Sequence, residues 1–258
     1  RIRDLKDGYR QNLAMIGDEL VGKTSIIFKF LNRFRDNKII ILYMEVMPES
    51  LASFVNKFIG MLLYNFLVNA DIALKEDLGF LINKSSCYIP RTVEKIKLIL
   101  SNLEKRKKAS VFHELLSLCD LIHQETNKSC VVIFDEFHNL ENVGIKNLYA
   151  EWSKLLITQK NTMYLIVSSL KFKTKMILSK GLSLLFGNFE IVTVEQFDIK
   201  TSEKYLGYKL RDINLNPGLK DFIIHFTGGH PFYLEVVTDA LLKSNQQGLA
   251  DIITDLLF

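Results

Sequence analysis

The sequence has no apolar run near the ~20 residues that a membrane-spanning helix requires. The longest, such as 39–46 and 61–68, are less than half that length. No signal peptide is visible, and the first residue is not methionine. Cysteine is scarce: Cys87, Cys119 and Cys130 are odd in number and lack paired metal spacing. That excludes a disulfide framework and points to a reduced, cytoplasmic protein whose thiols fill core space. Low-complexity tracts and internal repeats are absent, which excludes a disordered tail or a solenoid. A strong charge of one sign is absent too. The net charge is +4 with lysines spread along the chain, so nucleic acid is a possible partner that the balance does not support. His113-Glu114 opens like a zinc-protease helix, but Ser117 stands where the second histidine belongs, so zinc is rejected. The four cations at 105–108 read as a solvated turn.

What is present suits a large buried core. Hydrophobic residues make up 48% and charged residues 24% of 258, which is ordinary globular usage with room for one α/β domain and a small appendage. Short apolar or β-branched runs at 13–16, 39–46, 131–134, 163–167 and 191–194 read as five strands. Helix-length segments separate them, among them 24–35, 51–68 and 111–124, with a mixed stretch at 69–108 read as inserted helices. Strands alternating with helices imply a parallel sheet. After residue 197 the strand signals stop. The segments 201–211, 218–226, 231–243 and 249–258 read as helices, which divides the chain into an α/β domain at 1–198 and a helical lid at 199–258. The final Leu-Leu-Phe suggests a chain that continues. Phe54, Phe58, Phe80, Trp152, Phe222 and Phe232 fall at helical spacing and are expected in the core.

Gly17-Asp18-Glu19-Leu20-Val21-Gly22-Lys23-Thr24 matches G-x-x-x-x-G-K-[ST] between an expected strand and an expected helix, with Ser25 following. In such a loop the glycines let backbone N–H groups face phosphate oxygens, Lys23 reaches the β and γ phosphates, and Thr24 offers its hydroxyl to Mg²⁺. The helix N-terminus adds its dipole. Downstream, an apolar strand ends in Asp135-Glu136. Asp135 can orient the metal through its water shell, and Glu136 can polarise a water for attack on the γ-phosphate. Ser168 and Ser169 end the next strand, where a hydroxyl could touch the γ-phosphate or the attacking water; the pattern favours Ser168. No Asn-Lys-x-Asp guanine-reading motif occurs, so the ligand is read as ATP with Mg²⁺.

With these residues in view, the chain resembles the archaeal-type ATPase family of the AAA+ and STAND group of P-loop NTPases. The resemblance rests on Thr24-Ser25 in the loop, Asp135-Glu136-Phe137, Ser168-Ser169 and Gly228-Gly229-His230-Pro231, in that order. It implies a three-layer P-loop fold with a five-stranded parallel sheet in the order 5-1-4-3-2, a C-terminal helical lid begun by His230 and Pro231 over the nucleotide, and a winged-helix or effector domain further on. It also implies a nucleotide-controlled switch acting on a protein effector or through self-assembly. The alternatives are a DNA-transacting module resembling origin-recognition initiators, or an ATP-binding scaffold without useful turnover. Three departures stand out. Asp18 and Glu19 replace the family's frequent basic residues and are expected to point outward. His138 replaces its glutamine, where a surface histidine is expected in preference to a pH-sensitive contact. Asn188 replaces the arginine before the fifth strand, and beyond Asp135 the sole arginine is Arg211. Slow hydrolysis follows, because charge developing on the γ-phosphate lacks its usual donor.

Overall fold

The computed structural model describes residues 2–70, 77–104, 111–145, 147–182, 189–211, 213 and 215–243. The expected turn at 105–108, the helix at 249–258 and Asn188 lie outside the described residues. The chain forms two compact units. One comprises Arg1–Ile16 and Ile27–Thr193, the other Gly17–Ile26 and Val194–Phe258.

The first unit is built on a parallel sheet of β1 (Asn12–Gly17), β2 (Ile39–Glu45), β3 (Ser129–Asp135), β4 (Thr162–Ser168) and β5 (Phe189–Val194). Their order is β2-β3-β4-β1-β5, which is the expected 5-1-4-3-2 read from the other edge. Every residue of β3 and β4 is buried, the reason these strands read as unbroken apolar runs. Pairing in register sets Glu45 beside Asp135 and Ile16 beside Ser168, so β1, β2, β3 and β4 finish together on one edge.

Alternation sorts the strand side chains onto two faces. Val131, Ile133, Met163, Leu165 and Val167 pack with Leu5 and with Ile27 of α1 (Lys23–Arg33). Cys130, Val132, Phe134, Tyr164 and Ile166 face a larger helical layer. That layer contains α2 (Leu51–Asn69), α3 (Leu78–Ser85), α4 (Pro90–Glu104), α5 (Val111–Thr126) and α6 (Leu148–Thr158). Within the mixed stretch at 69–108, the described residues form the inserted helices α3 and α4. Ser50 and Asp77 cap α2 and α3 by accepting from Ser53 N and Phe80 N.

By length and composition α2 could cross a membrane, with a mean hydropathy of 1.5, but half of its apolar window is buried against this core. Phe54, Phe58 and Trp152 are fully buried, as expected. Trp152 meets Phe112, Phe134, Tyr164 and Phe189 edge-on. Truncating it to alanine would cost about 3–5 kcal/mol.

β4 is followed by α7 (Lys171–Met176), which runs on into a π turn, Ile177–Gly181. In the second unit lie α8 (Ile199–Lys209), α9 (Pro217–Thr227) and α10 (Pro231–Lys243). Asp198 and Asn216 cap the first two, and Pro217 opens α9. Leu206, Leu210, Ile223, Ile224, Leu234 and Val237 form its core. Phe222 and Phe232 are not in that core: they are 46% and 41% exposed. Their helical spacing is real, but Ile223, Ile224 and Leu234 hold the inward face and turn both rings out.

Candidate nucleotide-binding site

The phosphate-loop segment follows β1 and ends at α1. Gly17 and Gly22 are required there for different reasons. A Cβ on Gly17 would sit 2.4 Å from the Val194 carbonyl oxygen, so the strand end admits no side chain. Gly22 has φ +94, a left-handed conformation that other residues resist. Leu20 adopts φ +58 without that freedom and stands 60% exposed. Asp18 and Glu19 are exposed, in keeping with the expectation that they point outward.

Lys23 is 5% exposed, and its Nζ donates to the carbonyls of Gly17 (3.1 Å) and Asp18 (2.6 Å). The loop therefore curls around its own ammonium, a buried positive charge at a helix N-terminus. Thr24, half-buried, is the second residue of α1, and Val21, within the loop, is buried. Ser25 is exposed. His230, immediately before Pro231 and α10, brings Nε2 to 3.2 Å from the Glu19 carbonyl oxygen. Its ring packs on Tyr233, and its Nδ1 is buried without a hydrogen-bond partner among the described residues. Phe197 N donates to Gly229 O at 2.9 Å, which fixes the Gly-Gly step ahead of His230.

The carboxylate pair ends β3 in the first unit. Asp135 is 2% exposed and accepts from Tyr43 Oη (2.9 Å) through Oδ2 and from Glu136 N (2.9 Å) through Oδ1. Burial, and then the bond to Asp135, push the Tyr43 phenol well above its ordinary range, so it remains a donor. Glu136 takes φ 47 and ψ 43, a left-handed turn that swings its side chain toward β4. There its Oε2 accepts from Ser169 N (3.2 Å) and Ser169 Oγ (2.9 Å). His138 Nδ1 lies 3.3 Å from the same oxygen and 3.1 Å from Ser168 Oγ. A nitrogen lone pair facing a carboxylate would repel it, so the tautomer with the proton on Nδ1 is selected. Ser168 Oγ accepts from Leu170 N.

One expectation changes here. His138 is not a surface residue: with a side chain 14% exposed, it is wedged between Glu136 and Ser168 because the turn after β3 folds back over β4. The hydroxyl that holds Glu136 is that of Ser169, while Ser168 meets His138. Tyr43 is absent from the sequence reading. Its one signal is a hydroxyl near the end of a strand that is apolar up to Glu45.

No family model matches the chain, and no curated protein matches it in sequence. Among solved structures it is similar to a Walker-type ATPase of Pyrococcus abyssi, at 17% identity over 98% of this chain and 69% of that one, with a TM-score of 0.62. Drosophila ORC bound to DNA matches at 15% identity over 94% and 53%, with a TM-score of 0.48. The fold is that of a P-loop NTPase.

Proposed function

We propose that this chain binds ATP with Mg²⁺, hydrolyses it slowly and uses the nucleotide state as a switch for a protein effector or for self-assembly. The observation that carries the reading is Lys23: a buried ammonium held by two backbone carbonyls of a glycine-flanked loop at a helix N-terminus, an arrangement suited to polyphosphate. Lys23 would exchange carbonyl contacts for the β and γ phosphates, and Thr24 would offer its hydroxyl to the metal. Mg²⁺, held there by Thr24 and supported by Asp135, would neutralise negative charge on the phosphates. Asp135, held rigid by Tyr43 and by the backbone, suits a metal support acting through water. Glu136 accepts on Oε2 from Ser169, which orients the carboxylate and leaves Oε1 to take a proton from the attacking water. His230 and Pro231, with the Glu19 carbonyl at 3.2 Å from the imidazole, suit a cover over the nucleotide whose closure differs between ATP and ADP. The fold does not tell ATP from GTP; the preference for ATP rests on the missing guanine motif.

Slow turnover follows from the shortage of arginine. Arg211 is the sole arginine beyond Asp135, and Arg10 is committed to the carbonyls of Leu156 and Gln159. The test is steady-state hydrolysis over a wide range of protein concentration, with ATP and GTP in competition. Specific activity should be low and rise with concentration if a neighbour supplies the cation. Fast, concentration-independent hydrolysis that survives Arg211→Ala would overturn the slow-switch reading. Failure to bind ATP would remove the function altogether.

A further inference from the structure

The stretch from 170 to 182 holds Lys171, Lys173, Lys175 and Lys180 and no carboxylate, so it has as much net positive charge as the whole chain. Here the dispersal of lysines that made the overall balance uninformative breaks down. The helical segment is firmly seated on its inner side. Thr174 is fully buried, Ile177 is 5% exposed, and Lys173 Nζ reaches Glu141 Oε2 at 2.6 Å.

The outer side is a single stripe. Phe172, Lys175, Met176, Ser179 and Lys180 fall at i, i+3, i+4, i+7 and i+8, and all five are exposed. Phe172 is 82% exposed, the largest value for any bulky apolar side chain among the described residues, and Leu170 and Met176 are each 42% exposed. A seated helix that still extends a phenyl ring into water among ammonium groups has a face suited to a partner. A π turn at 177–181, a feature enriched at functional positions, carries the stripe onward.

We propose that this face of α7 and its π turn binds single-stranded nucleic acid. An aromatic ring can take a base by stacking, and lysines spaced along the same stripe can follow the phosphates. The stripe has no arginine, asparagine or glutamine to read base edges, so binding is indifferent to sequence. A membrane surface fits less well, because lysines interrupt the apolar stripe where a membrane-lying helix would segregate them. An acidic protein surface would satisfy the lysines but leave the ring without a stacking partner.

The inference stands on a different surface from the nucleotide reading, and its test needs no hydrolysis. Fluorescence anisotropy of a labelled oligodeoxythymidine of about 20 nucleotides, titrated with the full chain at several salt concentrations, is the experiment. The expected result is measurable binding whose logarithm falls with the logarithm of salt at a slope of about −2 to −3, at ~0.7 per neutralised phosphate. Phe172→Ala should weaken binding about fivefold or more. The pair Lys175→Glu and Lys180→Glu should weaken it about tenfold or more and flatten the slope by one to two units. All three positions are exposed, so melting curves should match the parent. No oligonucleotide binding, binding unchanged in both variants, or capture of polyglutamate or phosphatidylserine vesicles in place of the oligonucleotide would each overturn the proposal.

Discussion

The phosphate loop and the carboxylate edge both hold a charged group still, but with different materials. At the loop the ammonium of Lys23 is held by carbonyls of Gly17 and Asp18, atoms that every residue type carries. At the edge, Asp135 and Glu136 are held largely by the side chains of Tyr43, Ser169 and His138, drawn from β2, the turn after β4 and the turn after β3. The loop's geometry should therefore tolerate changes in its own exposed side chains. The edge should be sensitive to single substitutions far away in sequence. What the loop demands of sequence is two glycines and a lysine. The edge demands particular hydroxyls at particular strand ends.

The largest effect expected is from Lys23→Ala. Loss of the two proposed charge-assisted bonds to phosphate, at roughly 1.5–3 kcal/mol each, corresponds to a loss of ATP affinity of about 100-fold or more. The fold should survive, since the substitution touches neither core. Glu19→Ala, at an exposed position whose contact with His230 is made by the backbone carbonyl, should leave affinity within about threefold. Nucleotide titration with circular dichroism of both variants checks the pair. Equal losses in the two would show that the loop relies on its exposed side chains as the carboxylate edge relies on its partners.

Next in size is Glu136→Gln, which keeps the shape of the side chain and its contacts with Ser169 but loses the proposed base. Turnover should fall about 100-fold or more while ATP binding persists, general-base contributions being ~10²–10⁴. Single-turnover hydrolysis beside a binding titration reads both. Parental turnover in the variant would show that Glu136 is not the base.

The same contrast explains how much could be read from the chain beforehand. The loop is contiguous, so its eight-residue pattern and the strand and helix on either side were legible, as were β3 and β4, whose burial on both faces leaves unbroken apolar runs. The order of the sheet was legible only through the family resemblance, since periodicity does not say which strands are neighbours. The partners of the carboxylates were not legible. Tyr43 is separated from Asp135 by 92 positions and Ser169 from Glu136 by 33, and nothing in local spacing links them. Which serine holds Glu136 was not legible either: the left-handed turn at Glu136 aims that side chain past the buried Ser168 at the residue beyond the strand. Phe222 and Phe232 were misplaced because helical spacing identifies a face without saying whether it turns inward.

A smaller effect follows from those remote contacts. Ser169→Ala removes the hydroxyl that orients Glu136 but keeps the backbone donor, so turnover should fall about tenfold, the worth of roughly 1.4 kcal/mol, with ATP affinity unchanged. Ser168→Ala, which reaches Glu136 only through His138, should cost less. Comparison of kcat for the two variants decides which serine serves the carboxylate. A larger loss from Ser168→Ala would give that role to the strand residue instead.

The smallest effect, and the finest test of a charge held by a remote side chain, is Tyr43→Phe. The phenol donates to Asp135, and its loss should cost about 1–2 kcal/mol, a shift in Tm of a few degrees. Turnover should fall only a few-fold, because Glu136 N still holds the other oxygen of Asp135. The pH dependence carries a sharper signature. Burial and the bond to Asp135 raise the Tyr43 pKa in the folded state above the ~10 of an unfolded chain. The folded protein then keeps a proton that the unfolded chain gives up. The stabilisation is therefore complete below pH ~10 and is lost as pH rises through the folded value. Tyr149 and Tyr164, also raised by burial, contribute to the same alkaline decline. Phenylalanine at 43 removes one titrating group from the three, so the variant should be less stable than the parent at pH 8 yet lose stability less steeply above pH 10. Urea unfolding midpoints at pH 8, 10 and 11 would show the two curves converging. Parallel decline of parent and variant would mean that the phenol does not titrate against Asp135, and that the carboxylate edge is held by its backbone donor as the loop is by its carbonyls.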